Sequence, residues 1–382
     1  MMKKIPYGKQ LIDREDKKFV LDSLSKDLIT TGPYVQRFEN SITKFFKSKF
    51  SYVCSSGTSA LHLAMLSINL KPNDTILMPS VNFIASYNMA KIMKLKVHLV
   101  DVDEYTGQIT PDNVLECIKK NKLKKIKVLI LMYHGGYPEN SHKFYTIKKK
   151  FNFYIIEDAC HALGAEYKYK NKFYKVGSCK HSDVSTFSMH PVKTITSGEG
   201  GIISTNNTKI ANRIRLFRNH GMMKNKKKHW DYDIIENGYN YRLSDINCSL
   251  ALSQLKKLKF LLNKRKKIYN NYLKELKNFN QNLKIPLYSR TSRSSYHLFL
   301  ININFKKLKK NKDHFMEYLK NKNILAQYHY IPIYKFNIYD EKKSDFLETE
   351  KYFKNSVSLP IYPNLTVKNQ NYVIKIVKKY FK

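Results

Sequence analysis

Short apolar runs alternate with amphipathic segments through the first half of the chain, and this alternation constrains the fold more than any other feature. Four of the runs are Thr75–Pro79, Lys96–Asp101, Ile126–Tyr133 and Phe153–Asp158. Each is short enough to be a strand, and helical patterns such as Pro111–Lys120 lie between them. Strands that alternate with helices form mainly parallel sheets with helices on both faces. The sequence therefore predicts an α/β fold.

One lysine differs from the many others in this chain because its surroundings are apolar. Lys193 lies between Val192 and Ile195, and it follows a β-like run. Burial disfavours the ammonium form of a lysine and lowers its pKa, and the neutral amine is the form that attacks a carbonyl group. A glycine-rich turn, Gly198–Gly201, comes next. On this stretch alone, a surface lysine before a turn is an equally good interpretation.

A carboxylate closes one of the predicted buried strands. The run Phe153–Asp158 ends in Glu157 and Asp158, and His161 follows three residues later. Open α/β sheets bind ligands at the carboxyl ends of their strands. Pyridoxal phosphate requires an acid of this kind, because an Asp or Arg partner sets the protonation of its pyridine nitrogen.

The segment Ser55–Leu61, which reads SSGTSAL, predicts a phosphate site. It follows the strand Tyr52–Cys54 and opens a helical pattern. The N–H groups and the dipole of a helix N-terminus favour a phosphate, and Thr58 and Ser59 add hydroxyl donors. Without the other two segments, a capped helix start that binds nothing is the more common meaning of this pattern.

Together, the three segments resemble the DegT–StrS family of pyridoxal-phosphate nucleotide-sugar aminotransferases. The motifs SSGTSAL, EDACHALG and FSMHPVKTITSGEGG occur in the family's order, and the similarity continues through LFRNHGM, GYNYRLSDINCSLALSQL and ILAQYHYIPIY. The resemblance covers nearly the whole chain. The segment QYHYIPIY is especially similar to family members on the pathway to pseudaminic acid.

The resemblance implies the fold and the domain organisation. The fold is that of a type I pyridoxal-phosphate aminotransferase, with a mainly parallel sheet sandwiched by helices and a smaller α+β C-terminal domain. The large cofactor-binding domain with its N-terminal arm is expected over residues 1–250, and the small domain over residues 251–382. The family relationship also implies a homodimer with shared active sites.

The resemblance also assigns roles to single residues. Lys193 and Asp158 are implied to be catalytic: the lysine carries the cofactor and moves a proton, and the aspartate holds the pyridinium. The further residues implied to contact the cofactor are Thr58, Ser59, Phe83, His161, Ser188 and Asn240.

Two of these cofactor contacts have a particular geometry in the family, and each has a plainer alternative. Phe83 is implied to stack on the pyridine ring, although a core aromatic at a helix start explains it equally well. Asn240 is implied to cross to the partner subunit's phosphate, but it could be an ordinary residue of the polar loop Met222–Asn240.

The resemblance implies that Tyr7 in the N-terminal arm and His329 lie near the substrate, and Glu199 is a further candidate for a substrate contact. A loop histidine whose hydrogen bonds are satisfied, and a turn glutamate, remain alternative interpretations of the last two. No residue pattern fits a standard metal site, so no metal is expected.

The implied activity is transfer of an amino group, with L-glutamate as donor, to the 4-keto carbon of a UDP-linked 4-keto-6-deoxy-N-acetylhexosamine. Another UDP- or dTDP-4-keto-6-deoxy sugar is the alternative acceptor. A sugar dehydratase on the same fold is less favoured, because that branch of the family replaces the lysine that is retained here as Lys193. A non-catalytic, basic nucleic-acid-binding protein is disfavoured by Lys193 together with Asp158.

The chain is strongly basic, with 69 Lys and Arg against 30 Asp and Glu and a net charge of +39. Such a charge raises the possibility of nucleic-acid binding. The lysines, however, occur in many short runs along the whole sequence, which indicates a general compositional bias at exposed positions. We therefore expect no nucleic-acid partner, although the positive field would attract an anionic cofactor and a sugar diphosphate.

The sequence also bears on the compartment and on other enzyme classes. The five cysteines are scattered and odd in number, the N-terminus has no apolar signal region, and no apolar run is long enough to span a membrane. A cytoplasmic enzyme without a membrane partner is expected. Neither a G-x-G-x-x-G motif after a strand nor a P-loop occurs, which argues against a nicotinamide enzyme or a nucleoside triphosphatase.

Overall fold

The computed structural model describes residues 3–225, 227–228, 230–339 and 346–382. Within these residues the chain forms twelve α-helices. In chain order they are α1 (Arg14–Leu24), α2 (Pro33–Phe46), α3 (Gly57–Ser67), α4 (Ala85–Ile92), α5 (Pro111–Lys120), α6 (Ser141–Phe151), α7 (Thr208–Arg218), α8 (Asp245–Lys256), α9 (Leu258–Leu276), α10 (Lys312–Asn321), α11 (Leu347–Asn355) and α12 (Val367–Lys379).

The described residues also form fifteen strands, most of them four or five residues long. They are β1 (Phe50–Cys54), β2 (Thr75–Pro79), β3 (Lys96–Val100), β4 (Val128–Met132), β5 (Tyr154–Asp158), β6 (Glu166–Tyr169), β7 (Lys172–Lys175), β8 (Val184–Ser188), β9 (Gly201–Thr205), β10 (Met222–Lys224), β11 (Tyr232–Ile234), β12 (Leu283–Lys284), β13 (Ser292–Arg293), β14 (Phe299–Ile303) and β15 (Ser356–Leu359).

Seven strands form the central sheet, in the order β1-β9-β8-β5-β4-β2-β3. The neighbours from β8 to β3 run parallel, and only β9 runs against its two neighbours. The apolar run VLILM of β4 is buried along its whole length, as a central strand covered on both faces requires. The predicted mainly parallel sheet is confirmed.

Helices cover both faces of this sheet. Successive side chains of a strand point to opposite faces, and β4 accordingly divides its residues between two cores. Leu129 and Leu131 pack into a core with residues of α2 and α8, whereas Val128 and Ile130 pack into a core with residues of α3 and α7. Each face is thus closed by apolar helix surfaces, and the edge formed by the strands' carboxyl ends is left for a site.

A second unit is built on the antiparallel sheet β12-β14-β15. Aromatic residues such as Tyr272 and Phe299 form its core with residues of α9, α10 and α12. The N-terminal arm joins this unit, because the N–H of Ile5 donates to the carbonyl of Asn323 and the N–H of Leu325 donates to the carbonyl of Ile5. The division into residues 1–250 and 251–382 stays a prediction, and residue 250 itself falls inside α8.

Two features of the fold differ from what the sequence predicts. The segment Met222–Asn240, expected to be a loop, contains the hairpin β10–β11. The segment after β5 contributes the hairpin β6–β7, which β13 joins as a third strand. The strands of both hairpins are only three or four residues long and largely exposed, so they show little hydrophobic alternation.

None of the helices in the described part of the chain is both long enough and apolar enough to cross a membrane. The expected cytoplasmic location stays a prediction.

Candidate active site

A cavity of about 520 Å³ opens at the carboxyl ends of β4, β5 and β8, and its far wall comes from the smaller unit. The sequence placed ligand binding at this edge of the sheet. Most of the predicted site residues meet here. Those that line the cavity are Tyr7, Thr58, Phe83, Asp158, His161, Ser188, Lys193, Glu199 and His329.

The N-terminus of α3 forms one wall of the cavity through Gly57 and Thr58. Ser56 caps the helix: its hydroxyl accepts from the N–H of Ser59 at 3.1 Å, and the Ser59 hydroxyl accepts from the N–H of Ser56 at 2.8 Å. Ser59 therefore completes a capping box and does not line the cavity. The first N–H groups of the helix have no partner within the helix, which makes this wall suited to a phosphate.

Gly57 allows this wall to lie close to the end of β8. A Cβ atom at Gly57 would lie 2.8 Å from the Cβ of Ser188 and 3.3 Å from its Cα. Real Cβ atoms essentially never lie under 3.0 Å from another heavy atom, and the Ser188 Cβ is fixed to its backbone and cannot rotate away, so glycine permits the approach. The two phosphate-binding candidates Thr58 and Ser188 are thereby brought to the same corner.

The variant Gly57→Ala is expected to weaken the binding of pyridoxal phosphate roughly ten-fold, because overpacking of this kind costs on the order of 1–3 kcal/mol and moves α3 away from β8. Absorption titration of the apoenzyme with the cofactor measures the affinity, and thermal unfolding of the apoenzyme measures the accompanying loss of stability. Unchanged affinity would contradict the assignment of this corner to the phosphate.

Asp158 ends β5 and is almost fully buried, with 3% of its surface exposed. Its Oδ1 accepts from the N–H of Cys160 at 3.3 Å. Its Oδ2 lies 3.3 Å from the hydroxyl of Ser86 and 3.5 Å from the amide nitrogen of Asn82. The Asn82 Oδ1 is buried without a hydrogen-bond partner among the described residues. The carboxylate is thus held by three donors at the cavity wall.

Lys193 lies in a turn in which its N–H donates to the carbonyl of His190 at 2.9 Å. Burial lowers the pKa of the Lys193 amine, and the guanidinium of Arg265 lowers it further, whereas Cys160 and Asp158 act in the opposite direction. Part of the side chain faces the cavity, but protein atoms surround it closely enough for burial to dominate. The shift is in the direction that an amine nucleophile requires, and the catalytic role of Lys193 stays a prediction.

A buried arginine fixes the turn that carries Lys193. Arg265 of α9 is 1% exposed and donates to the carbonyl of Val192 at 3.2 Å and to that of Lys193 at 3.5 Å. Its other nitrogen donates to the carbonyls of His297 and Ile361 in the smaller unit. Burial lowers the Arg265 pKa to about 10. One side chain thus joins the lysine turn to the opposite wall.

Several histidines line the cavity. His161 lies with its ring centroid 4.1 Å from that of His297, and its Nε2 is 2.8 Å from the hydroxyl of Tyr330. Burial lowers the pKa of both histidines well below the ordinary range, so they are neutral near pH 7. No group of His, Cys, Asp or Glu within the described ranges is arranged to hold a metal.

The mouth of the cavity carries the aromatic and polar candidates. Phe83 is 54% exposed, and its ring lies 5.7 Å from that of Tyr330. Tyr7 packs against His329 with ring centroids 5.5 Å apart. Glu199 is exposed at the rim. A large aromatic surface is therefore presented to whatever occupies the cavity.

Asn240 is a predicted site residue that does not join these groups. It is exposed, does not line the cavity of its own chain, and pairs with Asn219 across an isolated β-bridge. Its predicted contact is with a partner subunit, and that contact stays a prediction.

Several residues of the site have no signal in the sequence. Asn82 and Ser86 flank Phe83, but nothing marks them as partners of an aspartate on another strand. Arg265 and His297 come from segments remote in the chain, and only the fold brings them to the lysine turn. Tyr330 lies within the segment QYHYIPIY, which was singled out only for its resemblance.

The residues present fit pyridoxal phosphate. The cavity offers a helix N-terminus approached closely through Gly57, a buried carboxylate, and an amine whose pKa burial lowers. Phe83 adds an exposed ring, and the partnerless Oδ1 of Asn82 is a further buried polar atom awaiting a donor. These features, on a mainly parallel sheet with a smaller C-terminal unit, define an aminotransferase of fold type I.

Comparison with known proteins identifies the family. The profile of the DegT/DnrJ/EryC1/StrS aminotransferase family matches residues 10–378, and the chain belongs to this family. Its members are pyridoxal-phosphate-dependent sugar aminotransferases. The protein is thus a transaminase that uses pyridoxal phosphate.

Individual relatives match over their full length. An uncharacterized protein of Methanocaldococcus jannaschii is 34% identical, covering 98% of this chain and 97% of the relative. The UDP-4-amino-4,6-dideoxy-N-acetyl-beta-L-altrosamine transaminase of Campylobacter jejuni is 35% identical, covering 97% and 95%. The structure of Helicobacter pylori PseC, an aminotransferase involved in the biosynthesis of pseudoaminic acid, superposes with a TM-score of 0.90 at 29% identity and covers 99% of both chains.

Proposed function

We propose that this aminotransferase moves an amino group from L-glutamate to the 4-keto carbon of a UDP-linked 4-keto-6-deoxy-N-acetylhexosamine, giving a 4-amino sugar for pseudaminic acid or a related surface glycan. The observation that carries the proposal is the full-length similarity to the Campylobacter jejuni transaminase. The alternative acceptor, another UDP- or dTDP-4-keto-6-deoxy sugar, shares the same chemistry at the reacting carbon.

Lys193 is the proposed catalytic amine. Pyridoxal phosphate, when bound, supplies an aldehyde that condenses with amines and a ring that draws electrons from the donor's α-carbon. Burial and Arg265 lower the pKa of the Lys193 amine, which raises the share of the neutral form that acts as a nucleophile. Once released, the same amine is positioned to take the proton from the donor's α-carbon and to return it elsewhere.

Asp158 is the proposed partner of the pyridine nitrogen. Its carboxylate is buried and held by the backbone of Cys160 together with Asn82 and Ser86. In such surroundings a fixed negative charge strongly favours a proton on a nearby ring nitrogen. His161 and Phe83 are the proposed contacts to the ring, with His161 oriented by the hydroxyl of Tyr330.

Thr58, Ser59 and Ser188 are the proposed phosphate contacts. Thr58 and Ser188 face the cavity, whereas Ser59 shapes the α3 N-terminus through its cap. We propose a homodimer in which Asn240 reaches the partner subunit's cofactor. Its exposure, away from its own cavity, supports a contact outside its own chain.

The mouth of the cavity is the proposed sugar site, with Tyr7, His329 and Glu199 as contacts. Tyr7 and His329 touch each other through their rings, so the N-terminal arm and the smaller unit contribute jointly. A sugar bound at this mouth would have its 4-keto carbon near Lys193, because Lys193 lines the same cavity as the three proposed sugar contacts.

A two-step absorption titration tests the proposal. L-glutamate is expected to bleach the visible band of the lysine-bound cofactor, and one sugar from a panel of UDP- and dTDP-4-keto-6-deoxy sugars is expected to restore it. The UDP-linked N-acetylhexosamine of L-arabino configuration is expected to be the best acceptor.

Each outcome of this titration is informative. Restoration by a dTDP sugar alone would replace the proposed acceptor with the alternative. Bleaching without restoration by any sugar would leave the donor half-reaction standing and reject the acceptor class. D-glutamate serves as the control donor, because its α-hydrogen would point away from Lys193 in the same binding mode.

A further inference from the structure

A histidine outside the cavity holds the segment that surrounds Asn240. His62 lies on α3 and is 3% exposed. Its Nδ1 is 3.1 Å from the hydroxyl of Tyr241, and its ring lies 4.9 Å from that of Tyr239. The two tyrosine rings stack on each other with centroids 4.9 Å apart and an interplanar angle of 12°. The residues on both sides of Asn240 are therefore fixed to one imidazole.

The backbone of this segment is fixed as well. The carbonyl of Tyr241 accepts from the N–H of Ser55 at 2.9 Å, directly before the proposed phosphate turn. The N–H groups of Tyr239 and Tyr241 donate to the carbonyls of Phe217 and Arg218 at the end of α7. Three hydrogen bonds thus tie the segment to its own chain.

The alternation of an extended segment decides where Asn240 points. Asn240 forms a β-bridge with Asn219, and successive side chains of such a segment point to opposite faces. Tyr239 and Tyr241 both contact His62, so the side chain of Asn240 leaves on the other face, where it is exposed. Burial lowers the pKa of His62, and a neutral imidazole matches the neutral Tyr241 hydroxyl.

We propose that His62 is a positioning residue for the partner subunit's cofactor site, acting through Tyr239 and Tyr241 on the side chain of Asn240. This inference rests on the proposed role of Asn240 across the dimer interface. His62 lies on the same helix as Gly57 and Thr58, so α3 would serve two cofactor sites. Its N-terminus binds the cofactor of its own subunit, and His62 orders the segment that completes the site of the partner subunit.

Loss of His62 would act in trans, on the partner subunit's site, whereas loss of an ordinary buried histidine would not. In a heterodimer, Lys193→Ala removes the visible cofactor band from one subunit only. In the first arrangement, His62→Ala is placed in that same subunit. The remaining band then comes from the other subunit's site, which keeps Lys193 but is completed by the Tyr239–Tyr241 segment of the altered subunit. In the second arrangement, His62→Ala is placed in the subunit that keeps Lys193. The band then comes from that subunit's own site, which is completed by the unaltered Tyr239–Tyr241 segment of the other subunit.

The experiment titrates pyridoxal phosphate into both heterodimers, each purified through two different tags. The first arrangement is expected to bind the cofactor roughly ten-fold more weakly than a heterodimer carrying Lys193→Ala alone, since a hydrogen bond to a charged group is worth that much or more. The second arrangement is expected to match that reference. Weakening in the second arrangement alone, or in neither, would overturn the inference.

Two further variants distinguish a loss of cofactor affinity caused by misfolding from one caused by a misplaced Asn240. Tyr241→Phe removes only the hydroxyl that meets His62, and it is expected to cause a smaller loss in the first arrangement, even if His62→Ala does not fold. His181→Ala is the matched control, because His181 is also buried and its Nδ1 also lies near a tyrosine hydroxyl, that of Tyr167 at 2.9 Å. It is expected to change neither arrangement.

Asn240→Ala distinguishes failure of this inference from failure of the proposed function. If Asn240→Ala weakens the first arrangement while His62→Ala and Tyr241→Phe do not, only the role of His62 is wrong. If Asn240→Ala causes no loss in trans, or if the protein is a monomer, the proposed contact across the interface is wrong and the role of His62 falls with it.

Discussion

Replacing Lys193 with alanine is expected to abolish steady-state amino transfer, with a loss on the order of 10⁴-fold or more, because the variant lacks both the nucleophile and the group that moves the proton. The fold is expected to survive. Burial disfavours the charged amine in the native state, so its removal relieves a cost rather than breaking a stabilising interaction. Initial rates of oxo-acid release measure the first effect, and thermal unfolding measures the second.

Two control variants define what the lysine does. Lys193→Arg keeps a long basic side chain in the turn but has no nucleophilic amine, so it is expected to be as inactive as the alanine variant. Lys209→Ala removes an exposed lysine of α7 and is expected to retain full activity. Measurable turnover by Lys193→Ala under steady-state conditions would refute the assigned role.

The sheet could be predicted from the sequence because its strands are buried on both faces. Runs such as Thr75–Pro79 and Phe153–Asp158 are apolar enough to identify: the first matches β2 to the residue, and the second matches β5 to within one residue. Their order in the sheet, and the reversal of β9, depend on contacts between distant segments. The hairpins β6–β7 and β10–β11 are not evident from the sequence, because partly exposed strands of three or four residues are too short to show hydrophobic alternation.

The residues of the candidate site also include some that the sequence predicts and some that only the fold reveals. Asp158 and Ser188 end neighbouring parallel strands, so the edge at which they meet follows from the strand pattern. Ser59 was chosen for its hydroxyl, but the same residue type at the third helical position also forms a capping box, and the sequence does not separate the two uses. Arg265 is buried by tertiary contacts alone, and its spacing in α9 predicts only a helix.

The chain's positive charge suits the anionic ligands proposed for the cavity. A sugar diphosphate and a cofactor phosphate are both anions, and a net charge of +39 attracts them before any contact forms. Salt should therefore affect the association rate more than the chemistry at Lys193. The absence of a nucleic-acid partner stays a prediction.

Asp158→Asn is expected to lower kcat by roughly 10²–10³-fold, the scale seen when a fixed charge that stabilises the transition state is lost. The amide keeps the size of the side chain but no longer favours a proton on the ring nitrogen. A second effect has a definite sign: Asp158 raises the pKa of Lys193, so its loss lowers that pKa further. The pH midpoint of the cofactor band is therefore expected to move to lower pH, as absorption spectra across a pH series would show.

The adjacent carboxyl provides a matched control, because successive residues of β5 point to opposite faces of the sheet. Glu157 is buried away from the cavity, accepts from the hydroxyls of Tyr133 and Ser185, and has its pKa raised by burial. Glu157→Gln is expected to lower the melting temperature while kcat and the pH midpoint of the band stay unchanged. If Glu157→Gln reduced kcat as much as Asp158→Asn does, the loss would reflect damage to β5, and the role of Asp158 at the pyridine nitrogen would be wrong.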